Sequence, residues 1–277
     1  MIGRLPGAIV RASLVAILVA TPSLLLPLVA PDTTEVVVLI AFAAAALVAV
    51  EYASSYPSLV EFRDAPPFNR VRFLALFFTV FTLSVIWRGQ VAPSGLTLFV
   101  EAVGIVLGHI LDFPYSPVRL VLLSLPEGAA AEHVRIMRAS AGLAFVIALS
   151  ALIFFYLTLR LADWPGRLGA FNVWINLPTF DPTAGGDVVA RLNRDARVNL
   201  ALGFLLPFLM PAVVKASGMV FGPLALDSPQ SMVWTVSAWA FLPLSLFMRG
   251  IAMGRVADMI LDMRRRGAAR PEQPALA

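Results

Sequence analysis

The chain has no cysteine, which excludes a disulfide framework, a thiolate metal site and a thiol nucleophile, and leaves the redox compartment undecided. Lysine is almost missing too: Lys215 is the only one, so nearly all of the 21 basic groups are arginine. That preference, beside abundant alanine, matches a GC-rich bacterial genome. Charge of either sign is scarce, at 14% of residues, against about 25% in a soluble domain. There are two histidines, His109 and His133, too far apart for an H-x-x-x-H metal site. No Walker loop, no G-x-S-x-G elbow and no dinucleotide fingerprint occurs. An enzymatic reading therefore has no positive signal, and neither a cofactor nor a metal is expected.

What the chain has instead is oil. Hydrophobic residues make up 59% of the 277 and mean hydropathy is +0.85, which sets it apart from ordinary globular domains and names lipid as its solvent. The net charge of +4 comes without the interleaved aromatics or recognition module of a nucleic-acid binder. Anionic lipid headgroups are the expected counter-charge, and no nucleic-acid partner is expected.

Ala12 to Ala30 follows Arg4 and Arg11 and could be read as a signal peptide. A retained first span fits better, because about 19 apolar residues is long for a signal core and the small-residue cleavage pattern is poor. Val36 to Val50 reads as a second span and Phe73 to Trp87 as a third. Between them Pro57, Pro66 and Pro67 break regular structure, while Arg63, Arg70 and Arg72 mark the loop as cytoplasmic. Ala139 to Leu161, Leu200 to Phe221 and Met232 to Met248 supply three more. The polar insertion Asp163 to Asn199 divides in two. Trp164, Phe171, Trp174 and Phe180 suit a loop at headgroup level. Asp187, an expected N-cap, opens a short surface helix with Arg191 and Asp195 at i+4 and i+8.

Leu96 to Asp112, LTLFVEAVGIVLGHILD, is the conspicuous segment. At about 100° per residue Glu101 and Asp112 fall within roughly 20° of each other, with Gly104 and Gly108 between them on one stripe. Ionisable groups at membrane depth cost several kcal/mol (~3 or more) unless they face protein or water, so the stripe should face other helices. His109 lies roughly 80° around from Glu101. Pro114 and Pro117 interrupt the segment before Val118 to Leu125, which is too short to cross.

Sidedness chooses between two geometries. Seven crossings from a cytoplasmic N-terminus put 8 of the Arg and Lys residues inside and 12 outside, Lys215 omitted. If 96–125 returns to its starting side, six crossings remain and the division becomes 16 inside and 4 outside, the four being Arg88, Arg119, Arg135 and Arg138. Reversing the seven-span arrangement gives 12 and 8. The charge rule favours six crossings with a re-entrant or broken segment.

The expected fold class is thus all-α, a polytopic integral membrane helical bundle of six to seven spans with one broken or re-entrant segment around residues 96–125. Residues 1–266 form one transmembrane domain. Its end, 249–266, is an amphipathic extension in which Val256, Met259, Ile260 and Met263 share a face. Arg264, Arg265 and Arg266 should contact lipid headgroups, and 267–277 is expected to be a disordered polar tail.

Gly104 and Gly108 form a small-x-x-x-small pair suited to close helix packing. Glu101, His109, Asp112 and Lys215 are the candidate intramembrane polar site. Lys215, beyond Pro207 and Pro211 in the same apolar run, either snorkels to an interface or pairs with Glu101 or Asp112. A cluster in the second loop, Glu51, Tyr52, Tyr56, Glu61, Arg63 and Asp64, is the one an enzyme would use. The expected role is a non-enzymatic, multi-pass protein of a bacterial inner membrane with both termini cytoplasmic. It would be an accessory or assembly subunit binding other membrane proteins or itself. The rival is a proton- or ion-coupled transporter or channel using Glu101, His109, Asp112 and Lys215.

Overall fold

The computed structural model describes residues 4–26, 31–126, 128–162, 164–165, 171–183, 185–221 and 228–268. Among them every regular element is a helix: α1 Leu5–Leu25, α2 Pro31–Ala53, α3 Phe68–Gly89, α4 Gly95–Leu111, α5 Pro117–Leu123, α6 Ala131–Leu161, α7 Val173–Asn176, α8 Val188–Phe221 and α9 Pro229–Ala268. Six, α1, α2, α3, α6, α8 and α9, are long and apolar enough to cross a membrane. At 17 residues α4 is about 25 Å long, short of the ~30 Å hydrocarbon layer.

The long helices begin before the apolar runs. The run at Ala139 is entered through Glu132, Arg135 and Arg138, all already helical in α6. The short surface helix expected after Asp187 is the first part of α8, continuous with the following span. Hydropathy marks the oily part of a helix, while backbone hydrogen bonding carries on into water.

Direction follows from contacts. Arg4 of the α1 N-cap donates to the Ser54 carbonyl just beyond α2, and Arg88 near the end of α3 donates to the Leu25 carbonyl at the end of α1. Phe68 packs on Phe155, and Trp87 on His133 at 5.9 Å between ring centroids, so α3 and α6 are antiparallel. In α8 and α9, Gly250 lies against Ala196 and Gly203 against Phe247, antiparallel again. Because α6 starts at the end of the bundle where α3 stopped, α4 and α5 together make no net crossing. The described arginines divide unevenly between the two ends. Arg88, Arg119, Arg135 and Arg138 lie toward one, and the other fourteen toward the end that holds Arg4, the 51–67 loop and the close of α9.

Prolines inside helices leave carbonyls without an N–H partner. Pro211 cannot donate to the Pro207 carbonyl four residues back. The indole Nε1 of Trp239, buried in α9, donates there instead at 3.0 Å. The sequence break is thereby turned into a helix-to-helix contact.

At the arginine-rich end the aromatic insertion folds inward. Phe62 lies 4.4 Å from Phe68 and 5.9 Å from Trp164 between ring centroids, and Phe171 closes the group. Trp164 and Phe180 are buried; Trp174 alone of the four expected headgroup aromatics is well exposed. The 51–67 loop offers them an apolar seat, and burial there removes more area from water than an interfacial position would. The amphipathic face of α9 also ends sooner than its pattern suggests. Val256 is buried, Met259 and Ile260 are partly buried, and Met263 is exposed. Gly267 is still helical; the rest of the expected tail, from residue 269, lies outside the described residues.

Candidate functional site

Ser94 starts α4. Its hydroxyl accepts from the Thr97 N–H while the Thr97 hydroxyl accepts from the Ser94 N–H, a reciprocal capping box. The helix then buries Thr97, Glu101, Gly104 and Gly108, spaced i, i+4, i+7, i+11 along one face. That face lies on α6, and the two helices run the same way. Glu101 meets Arg135, Gly104 meets Ala139 and Gly108 meets Arg138 and Gly142. A Cβ added to Gly108 would stand 2.6 Å from the Arg138 carbonyl oxygen, and one added to Gly142 would stand 2.5 Å from the Gly108 Cα. Backbone touches backbone here, which only glycine on both sides permits.

The close crossing brings charges together. Glu101 accepts from Gln90 Nε2 at 3.2 Å and pairs with Arg135 at 2.7 Å. Arg135 also holds Glu132, three residues earlier on α6. Asp112, the C-cap residue of α4, lies 2.8 Å from Arg119 Nε of α5 and 2.9 Å from Arg138 Nε of α6. These are ion pairs without directed hydrogen bonds: Asp112 Oδ1 and Arg138 Nε are buried and no N–H lines up with an acceptor there. His109 Nδ1 is 2.8 Å from the Ile105 carbonyl, and its Nε2 is 3.4 Å from Arg138 Nη1. A neutral ring protonated on Nδ1 satisfies both contacts, donating to the carbonyl and accepting from the guanidinium.

Lys215 does not join this group. It is exposed and donates to the Leu123 carbonyl at 3.3 Å, filling one of the orphan acceptors at the end of α5. Of the two readings of its charge, pairing with Glu101 or Asp112 is not what the structure contains. Of the three terminal arginines, Arg264 pairs with Asp187 at 2.7 Å, Arg265 lies 4.0 Å from Asp262 and Arg266 is exposed.

The second-loop cluster is taken up by its own backbone. Glu51 accepts from the N–H groups of Ser58, Leu59 and Val60 and from the Ser58 hydroxyl. Arg63, buried, donates to the Glu51 and Ser54 carbonyls at the close of α2 and pairs with Asp64. Glu61 pairs with Arg249 at 2.6 Å and accepts from the Thr179 hydroxyl, tying this loop to α9 and to the segment after α7. Tyr56 is exposed, and Tyr52 lies under Arg11.

Sequence reasoning placed the polar stripe but missed its partners. Arg135, Arg138 and Arg119 were legible only as unfavourably placed positive charge, and Gln90 carried no signal. Arg249 and Thr179, the partners of Glu61, lie 188 and 118 residues away from it, beyond any local spacing rule. Among the described residues no group of three or more His, Asp or Glu side chains could hold a metal ion. The Arg264 guanidinium, aided by the Ala190 N–H, holds the Asp187 carboxyl below the usual carboxylate range. Comparison of the chain with protein-family models, with characterised proteins and with solved structures finds no match.

Proposed function

We propose that this is a non-enzymatic, multi-pass protein of a bacterial inner membrane that acts as an accessory or assembly subunit for other membrane proteins. The observation that carries the reading is where the ionisable groups are spent. Glu101, Asp112, Glu61, Glu51 and Arg63 each bond to their own chain, so the polar chemistry holds the bundle rather than facing a substrate path.

A second observation supports a helper role. The α1–α2 pair joins the bundle mainly through α1, and α2 packs closely on α1 alone. Val36, Leu39, Ala43, Leu47 and Val50 form an exposed stripe along it. An apolar helix with small residues in its outer face can accept a second helix at close range. The uneven division of arginines supports an orientation with the arginine-rich end, and hence both the start of α1 and the close of α9, in the cytoplasm. In that orientation α4 and α5 form the re-entrant segment.

Affinity purification from native membranes in a mild detergent tests the reading. A stable set of copurifying membrane proteins, or a homo-oligomer, is the expected result, and a lone monomer removes the support. Proteoliposomes address the rival: a pH-gradient-driven flux abolished by Glu101→Gln would replace an accessory role with transport.

A further inference from the structure

Between the first turns of α8 and the last third of α9 lies an open groove of about 570 Å³. It is lined by apolar Leu200 and Ile251 and by polar Asn193, Arg197, Arg255 and Asp258. Glycine makes the room. A Cβ on Gly250 would come within 2.8 Å of the Ala196 carbonyl, so α9 rests directly on α8 there. One turn later a Cβ on Gly254 would meet nothing within 4 Å, and the helices leave the space open.

Arg255 is the unfinished group in it. Its Nε is buried from solvent and has no hydrogen-bond partner among the described residues. Arg197 spends only its Nε, on the Asn193 carbonyl one turn back at 3.3 Å. No hydrogen bond or ion pair among the described residues takes up the Arg255 guanidinium, so its charge is open to an acceptor in the groove it lines. Guanidinium forks match phosphate oxygens in geometry as well as charge.

We propose that this groove binds a phospholipid, with its phosphate between Arg255 and Arg197 and its acyl chains over Leu200 and Ile251. Free phosphate would satisfy the arginines alone, whereas the apolar part of the lining calls for an amphiphile. Basic pockets between helices at the cytoplasmic side of a membrane are suited to headgroups. Asp258 lies one turn beyond Arg255, towards the end of α9. Its carboxylate offers a place for an amine, so a phosphoethanolamine headgroup fits all three charges better than phosphoglycerol does. The assignment rests on the reading that the chain lives in a bilayer.

The test is thermal unfolding of the full chain in mild detergent with added phosphatidylethanolamine, phosphatidylglycerol or glycerol 3-phosphate. Phosphatidylethanolamine should raise the midpoint most and phosphatidylglycerol less, while millimolar glycerol 3-phosphate leaves it unchanged. Arg255→Gln should weaken lipid binding about tenfold, the loss of one charge-assisted contact. Gly254→Leu fills the groove without touching charge and should do the same. Asp258→Asn should erase the preference between the two lipids. Wild-type lipid shifts in both Arg255→Gln and Gly254→Leu would overturn the proposal, as would equal protection by glycerol 3-phosphate. A stronger shift with phosphatidylglycerol would overturn the amine assignment. A wild-type protein that needs detergent for solubility yet responds to no lipid would sink the site while leaving membrane residence intact.

Discussion

Replacing Gly142 with alanine sets a methyl group 2.5 Å from the Cα and 2.6 Å from the N of Gly108. Carbon atoms in contact need about 3.5–4 Å, so α4 and α6 must part by about 1 Å. No side chain can swing aside, because the obstacle is backbone. The same crossing holds Glu101–Arg135 at 2.7 Å and Asp112–Arg138 at 2.9 Å, and separation lengthens both. Overpacking of a tight interface costs about 1–3 kcal/mol. The added loosening of ion pairs places Gly142→Ala near the top of that range, about 3 kcal/mol, with Gly108→Ala close behind. Gly104→Ala meets Ala139 at 3.1–3.3 Å and needs only a few tenths of an ångström, so about 1 kcal/mol is expected. Gly254→Ala meets nothing and should fall within about 0.5 kcal/mol of the parent. Unfolding in mixed micelles by increasing fractions of a denaturing detergent, followed by helical circular dichroism, gives the order directly. A flat response across the four, or a Gly142→Ala protein as stable as the parent, would refute the reasoning.

Glu61→Gln should cost up to about 3 kcal/mol, the low end for breaking a buried pair, because Glu61 is mostly buried while Arg249 keeps some water. The same unfolding assay reads it, and restoration by a second change, Arg249→Gln, would show that the charge pair is responsible. The Asp187–Arg264 pair should respond to acid. Its carboxyl titrates below the ordinary value, so its contribution is full above about pH 4 and is lost as the pH falls through the folded value. Protease cleavage near the end of α9 should therefore rise in acid and become insensitive to pH there in Asp187→Asn. Reporter fusions after Ser94, Pro126 and Arg266 should place the first two on one side and the third on the other. Opposite sides for Ser94 and Pro126 would mean that α4 crosses after all.

The oily segments were legible because a helix long and apolar enough to cross a membrane carries a continuous apolar run, and all six long helices contain one. Their ends were not. Glu132, Arg135 and Arg138 interrupt hydropathy without interrupting the helix, and so α6 begins eight residues before its apolar run. The stripe on α4 could be read because a helix repeats locally, so Glu101, Gly104 and Gly108 declare a shared face whatever it touches. Which helix it touches depends on α4 and α6 running in the same direction, a property of the connection through α5 with no spacing signature. Lys215 shows the same limit. The sequence left Lys215 a choice between snorkelling and two carboxylates; it is exposed and donates to the Leu123 carbonyl. The aromatic insertion was legible as composition and not as contact: rings that suit headgroups also suit a seat beside Phe62, and the position of the 51–67 loop decides which of them are buried.

Asp112 explains why the odd helix holds its place. The side chain at the close of α4, Asp112, is buried, and the end of a helix is its negative pole. An acid there adds repulsion to a buried carboxylate, so Asp112 is tenable only with cations on it. The two it has come from different elements, Arg119 from the returning α5 and Arg138 from the α6 surface beneath. One carboxylate therefore joins the three elements of the hairpin, and none of them reaches that arrangement alone. The arginines answer a second need, because at 42% and 23% side-chain exposure they keep contact with water while pairing with Asp112. Charge that looked misplaced when counted by side is thus what closes the turn.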